Sequence, residues 1–185
     1  MVKMETPVCD FGWSAADFDL LGVDNKRYTL KGEMIGAKAF VVMFICNHCP
    51  FVKTIISRIV RDISELETQG VKALAICSND AIEYPDDSFD EMKNFSREHG
   101  FTFPYLHDKD QSVAKAYGAV CTPDFFGLDA DGKLQYRGRF DSSNMSANSD
   151  TDSRDLYKAM GQIATTWKGP EKQYRSIGCS IKWIS

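Results

Sequence analysis

The 185-residue sequence predicts an α/β fold, a central mixed sheet flanked by helices, on three observations. Two continuous apolar runs, Lys38 to Ile45 and Val71 to Cys77, are rich in β formers and read as strands buried on both faces. Between them, apolar residues recur at Val52, Ile56, Ile59, Ile63 and Leu66, the spacing of an amphipathic helix. On either side of this unit, turn residues set between β-rich stretches read as hairpins.

The N-terminal hairpin covers residues 17–30. Phe18 and Leu20 alternate with polar neighbours, Gly22-Val23-Asp24-Asn25 carries turn chemistry, and Tyr28-Thr29-Leu30 resumes the strand. The first long helix starts at Pro50, a residue tolerated only in a first turn, and ends toward Gly70 as a left-handed cap. Ser88-Phe89-Asp90-Glu91 has the form of a capping box, opening a helix with Phe89, Met92 and Phe95 on one face and Gly100 as its stop. The acidic run Asp86-Asp87, Asp90-Glu91 reads as a solvated helix start, since it lacks calcium-loop spacing.

Phe103 to Leu106 reads as a short strand, and Ser112 to Tyr117 as a short helix closed by Gly118. Phe125 to Leu128, the turn Asp129-Ala130-Asp131-Gly132, and Leu134 to Arg137 form a second hairpin. Residues 141–153 are polar and read as a mobile loop. A last helix uses Leu156, Met160, Ile163 and Trp167. The tail Ile177 to Trp183 is too apolar to wave freely and is expected to dock. No repeat or linker interrupts the pattern, so residues 1–185 read as one domain.

With 43% apolar and 26% charged residues, the composition is that of a globular protein. A net charge of −4 without a basic cluster argues against a nucleic-acid partner. No apolar run reaches membrane length, so no membrane partner is expected, and the cytoplasm is the expected compartment because Met1 to Pro7 lacks a signal-like apolar region. In such a chain six cysteines read as reduced or catalytic thiols. The oligomeric state is left open.

Cys46-Asn47-His48-Cys49 carries the chemistry. A strand that delivers C-x-x-C to a helix start places the thiols at unpaired N–H groups and a positive dipole end, which favour a thiolate. Cys46, first and nearest solvent, is the expected nucleophile; Cys49, further under the helix, is the expected resolving thiol. Zinc would require four ligands, and no second C-x-x-C exists, so no metal or other cofactor is expected. His48, between the thiols, is placed to stabilise the Cys46 thiolate by hydrogen bond or charge, which makes the disulfide more oxidising.

The order of elements resembles the thioredoxin fold in its enlarged form, with Asp80 to Tyr117 as the inserted αβ segment. More closely, Cys46-Asn47-His48-Cys49-Pro50-Phe51-Val52, Val120-Cys121-Thr122-Pro123-Asp124-Phe125-Phe126 and Gly178-Cys179-Ser180-Ile181-Lys182-Trp183 look like a bacterial thioredoxin-like group, related to the alkyl-hydroperoxide-reductase/thiol-specific-antioxidant proteins. The resemblance implies a thiol–disulfide oxidoreductase using a reversible Cys46–Cys49 disulfide. It also implies that Pro123 is a cis-proline facing the cysteines, with Thr122 offering backbone to substrate and Cys121 beside them. The partners so implied are protein or small-molecule disulfides and thiols, together with a thiol reductant system.

Three departures narrow the reading. Phe40 stands where thioredoxin carries a buried acid, Val52 where cytochrome-maturation reductases have glutamate, and Met43 where the peroxiredoxin signature needs threonine. The alternatives are a thiol peroxidase acting through Cys46 and a non-enzymatic redox sensor. Cys121 reads equally as a third redox thiol or a small buried residue, and Cys77 as core. Cys9 and Cys179 are unplaced, a bridge between them being one option. His99 and His107, the latter in a loop, need no role; Trp13, Phe125 and Phe126 read as core rather than groove.

Overall fold

The computed structural model describes residues 2–143 and 153–184, so most of the expected loop at 141–153 lies outside the described residues. The elements run β1 (Lys3–Glu5), β2 (Asp19–Gly22), β3 (Arg27–Thr29), α1 (Leu30–Met34), β4 (Ala39–Phe44), α2 (Pro50–Glu67), β5 (Val71–Cys77) and α3 (Phe89–Glu98). They continue with β6 (Tyr105–His107), α4 (Ser112–Tyr117), β7 (Cys121–Thr122), β8 (Asp124–Asp129), β9 (Leu134–Gly138), α5 (Asp155–Thr166) and β10 (Ile177–Ser180).

The main sheet has seven strands in the order β3-β2-β6-β5-β4-β8-β9. It is mixed: β4 runs parallel to β5 from Ala39↔Val71 to Phe44↔Ile76, and antiparallel to β8 from Ala39↔Asp129 to Phe44↔Asp124. Successive side chains of β4 point to opposite faces, and both faces are covered. Val41, Met43 and Ile45 join α2 and α5 in one core layer; Phe40, Val42 and Phe44 join Leu30, Ala114 and Tyr117 in the other. Helix α2 buries Val52, Ile56, Ile59, Ile63 and Leu66, each contributing about 1.5–3 kcal/mol of apolar transfer.

A second sheet, β1-β10-β7, is what docks the C-terminal tail. Cys179 lies opposite both Lys3 and Thr122. Gly178 makes this approach feasible, since a Cβ there would fall 2.1 Å from the Thr122 carbonyl oxygen.

Several local expectations change. Ser88 is the N-cap of α3, but its side chain makes no capping bond; the chain enters this helix from a 3-10 turn over Pro85–Asp87. Trp167 lies beyond α5 at φ +63 and is 50% exposed, because the left-handed C-cap turns it off the buried face. His107 closes β6 rather than sitting in a loop, and its ring stacks on Phe89.

Candidate active site

β4 ends at Phe44, and Ile45 still donates its N–H to the Ile76 carbonyl. The next residues turn sharply, because Cys49 is the N-cap of α2 and Pro50 its first residue. The turn is held from outside the motif. Asp87 Oδ1 accepts the N–H of Asn47 at 2.7 Å and of His48 at 3.3 Å. Asn47 donates to the Asp86 carbonyl and accepts from the Tyr105 hydroxyl, so the inserted segment fastens the loop that carries the cysteines.

Both sulfurs converge on Thr122. Cys46 Sγ lies 3.3 Å from Thr122 Oγ1, and Cys49 Sγ lies 3.2 Å from the Thr122 carbonyl oxygen. The Thr122–Pro123 bond is cis. Cys46 is only 1% exposed, against the expectation of a thiol nearest solvent. The apolar environment of β4 continues through Ile45, and Cys46 itself joins the core layer under α2. The member of the motif that reaches the surface is His48, whose side chain is 15% exposed.

The thiolate preference also falls on the other sulfur. Its neighbour Cys46 pulls the Cys49 thiol down most; burial opposes this, and Cys179 and the Val52 N–H add to the lowering, which leaves the thiol below the ordinary range. Cys46, beside Cys49 and buried near the Asp87 charge, is pushed well above it. The two sulfurs therefore titrate as a pair rather than singly.

His48 does not give its Nδ1 to Cys46. That atom lies 2.6 Å from Asp87 Oδ2, and the ring stacks on Tyr84 with centroids 5.5 Å apart. The bond to Asp87 raises the His48 pKa. Burial alone would push Asp87 up, but His48, Asn79 and the Asn47 N–H together hold it below the usual carboxylate range. Asp87 is fully buried, not the solvated helix start that its acidic neighbours suggest. A buried acid therefore does stand at the motif, on the inserted segment rather than at position 40. Cys46, His48 and Asp87 each offer a potential ligand atom, all within 4.8 Å of one another, although Asp87 Oδ2 is already shared by His48 and Asn79.

The remaining cysteines separate clearly. Cys179 Sγ lies 3.1 Å from Cys49 Sγ, while Cys9 packs against the layer on the other face of the sheet, so the Cys9–Cys179 bridge is not what the fold builds. Cys121 is buried beside the cysteines' partner strand, its sulfur 3.7 Å from the Pro123 carbonyl, and burial pushes its thiol far up. Cys77 is core, as are Phe125 and Phe126. Sequence reasoning missed Asp87 and Cys179 as members of the site. The signal for Cys179 was the apolar tail that had to dock somewhere; Asp87 had none beyond a place in an acidic run.

A family model described as AhpC/TSA family matches residues 11–137. A solved structure of an uncharacterized conserved protein from Geobacillus kaustophilus is 42% identical, with a TM-score of 0.93 over 100% of this chain and 97% of that one. A hypothetical protein from Sinorhizobium meliloti 1021 is 37% identical, with a TM-score of 0.92 over 98% of each chain. The thioredoxin domain of a thiol-disulfide oxidoreductase from Bacteroides vulgatus shares the fold at 14% identity, with a TM-score of 0.64 over 84% of this chain and 98% of that domain. No curated protein matches the sequence.

Proposed function

Since the chain belongs to the AhpC/TSA family and has a thioredoxin-like fold, we propose that it is a thiol–disulfide oxidoreductase working through a reversible Cys46–Cys49 disulfide. The observation that carries this reading is the convergence of both sulfurs on Thr122, beside cis-Pro123 at the mouth of α2. The proton between the sulfurs moves to Cys49 as Cys46 attacks a substrate disulfide. One substrate sulfur leaves as a thiol, taking the proton from Cys49, and the other forms a mixed disulfide with Cys46. The Cys49 thiolate then attacks Cys46 Sγ; the Cys46–Cys49 bond forms, and the second substrate sulfur leaves as a thiolate that takes its proton from water. A thiol reductant returns the pair to its starting state.

The substrates are protein or small-molecule disulfides whose backbone or chain lies along Thr122 and Pro123. A cleft of about 30 Å³ bordered by Phe51, Ile55, Pro123 and Phe140 opens there. It is water-sized and Cys46 does not line it, so a substrate reaches the buried sulfur only after local opening.

One observation favours a second reading, a thiol peroxidase. The hydroxyl that Met43 cannot provide is supplied from another strand, by Thr122 Oγ1 at 3.3 Å from Cys46 Sγ. Peroxide would then oxidise Cys46 to a sulfenic acid that Cys49 condenses with.

Wild type, Cys46→Ser and Cys49→Ser assayed with insulin plus a thiol reductant, and separately with peroxide, decide between them. The oxidoreductase reading expects insulin turnover above the reductant alone, abolished in Cys46→Ser, and a trapped mixed disulfide in Cys49→Ser. Insulin reduction no faster than background, with peroxide consumption well above the free-thiol rate, would replace it with the peroxidase.

A further inference from the structure

The tail that carries Cys179 is held at many points. Ser180 donates its N–H to the Val2 carbonyl at 2.9 Å, and Ile181 donates to Val120 at 3.2 Å. Lys182 donates its N–H to Asn79 Oδ1, and its carbonyl accepts from the Asp80 N–H and from Gln111 Nε2. Ser176 Oγ donates to the Pro123 carbonyl at 2.9 Å. These bonds, with the missing Cβ of Gly178 against Thr122, set Cys179 Sγ 3.1 Å from Cys49 Sγ. A disulfide has S–S near 2.05 Å, so about 1 Å of approach separates contact from a bond.

We propose that Cys179 is a second disulfide partner of Cys49, so that the site holds three exchangeable sulfurs rather than a pair. The proposal rests on the oxidoreductase reading for its starting state, the Cys46–Cys49 disulfide. Cys179 sulfur attacks Cys49 Sγ; the Cys49–Cys179 bond forms and the Cys46–Cys49 bond breaks. Cys46 leaves as a thiolate and takes up the proton that Cys179 gives off. No electrons are gained or lost. The exchange moves the oxidising equivalent onto the docked tail and returns Cys46 as a thiol.

The test is peptide mapping without reduction, on protein equilibrated with a glutathione/glutathione-disulfide mixture that fully oxidises the wild type. Cys46→Ser should lose two titratable thiols and yield a peptide joining Cys49 to Cys179. Cys179→Ala, checked for folding by circular dichroism, should form only the Cys46–Cys49 peptide. A Cys46→Ser protein that keeps both thiols, or carries glutathione on Cys49 without the Cys49–Cys179 peptide, overturns the inference. The wild-type map reads the Cys46–Cys49 peptide independently, so failure of the oxidoreductase reading is told apart from failure of this one.

Discussion

His48 Nδ1 lies 2.6 Å from Asp87 Oδ2, joining the member of the cysteine motif that reaches the surface to a carboxylate with no accessible surface. The pair is charge-assisted, and each partner shifts the other. His48 titrates above its usual value of about 6.5, and Asp87 below its usual value of about 3.9.

The sign of each shift fixes a pH window. The His48 contribution to stability is complete below about pH 6.5 and is lost as pH rises through the raised histidine pKa. The Asp87 contribution is complete above about pH 3.9 and is lost as pH falls through the lowered acid pKa. Both are therefore present together at mildly acidic pH. In Asp87→Asn, NMR titration of the His48 ring should show its pKa falling toward or below the ordinary value. An unchanged titration would mean that the bond does not hold in solution.

Replacing His48 by alanine should make the Cys46–Cys49 disulfide less oxidising. The variant removes the partner of Asp87 and leaves the Asp87 charge, which pushes the Cys46 thiol up, less compensated, so the thiolate form is disfavoured. A change of one thiol pKa unit corresponds to about 1.4 kcal/mol, or about 30 mV for this two-electron couple. Redox titration against glutathione reads the shift directly, and a potential that stays or rises would refute the argument.

Thr122→Val keeps the shape of the side chain and removes the hydroxyl 3.3 Å from Cys46 Sγ. A hydrogen bond of this kind is worth about 1 kcal/mol net, so alkylation of Cys46 by iodoacetamide at neutral pH should slow by roughly five-fold. The peroxidase reading would add a larger loss of peroxide reactivity. Equal alkylation rates would show that the hydroxyl faces another partner.

Arg137→Met should destabilise the fold by about 3–5 kcal/mol, because it strands a buried carboxylate. Asp124, next to Pro123, is 0% exposed and meets Arg137 Nη2 at 2.8 Å; the same guanidinium donates to the Gly118 carbonyl at 2.7 Å. Urea unfolding measures the loss. Adding Asp124→Asn should recover part of it, whereas additive losses would place the cost in packing against Phe126 instead.

The sequence by itself determined what neighbours along the chain can determine. Apolar runs specified β4 and β5, a 3.6-residue period specified α2, and Pro50 set the helix start directly after Cys49. It also required the tail to dock, because exposed Ile181 and Cys179 are unfavourable in water. Tertiary structure alone decided what meets the motif. The inserted segment and the tail approach from 39 and 130 residues away, and only the sheet order and the β7–β10 register bring Asp87 and Cys179 to it. An acid sought at position 40 was absent from β4, yet a different element supplies one. Burial decided the rest: a thiol's exposure depends on what packs over it, so Cys46 lies covered and His48 reaches the surface.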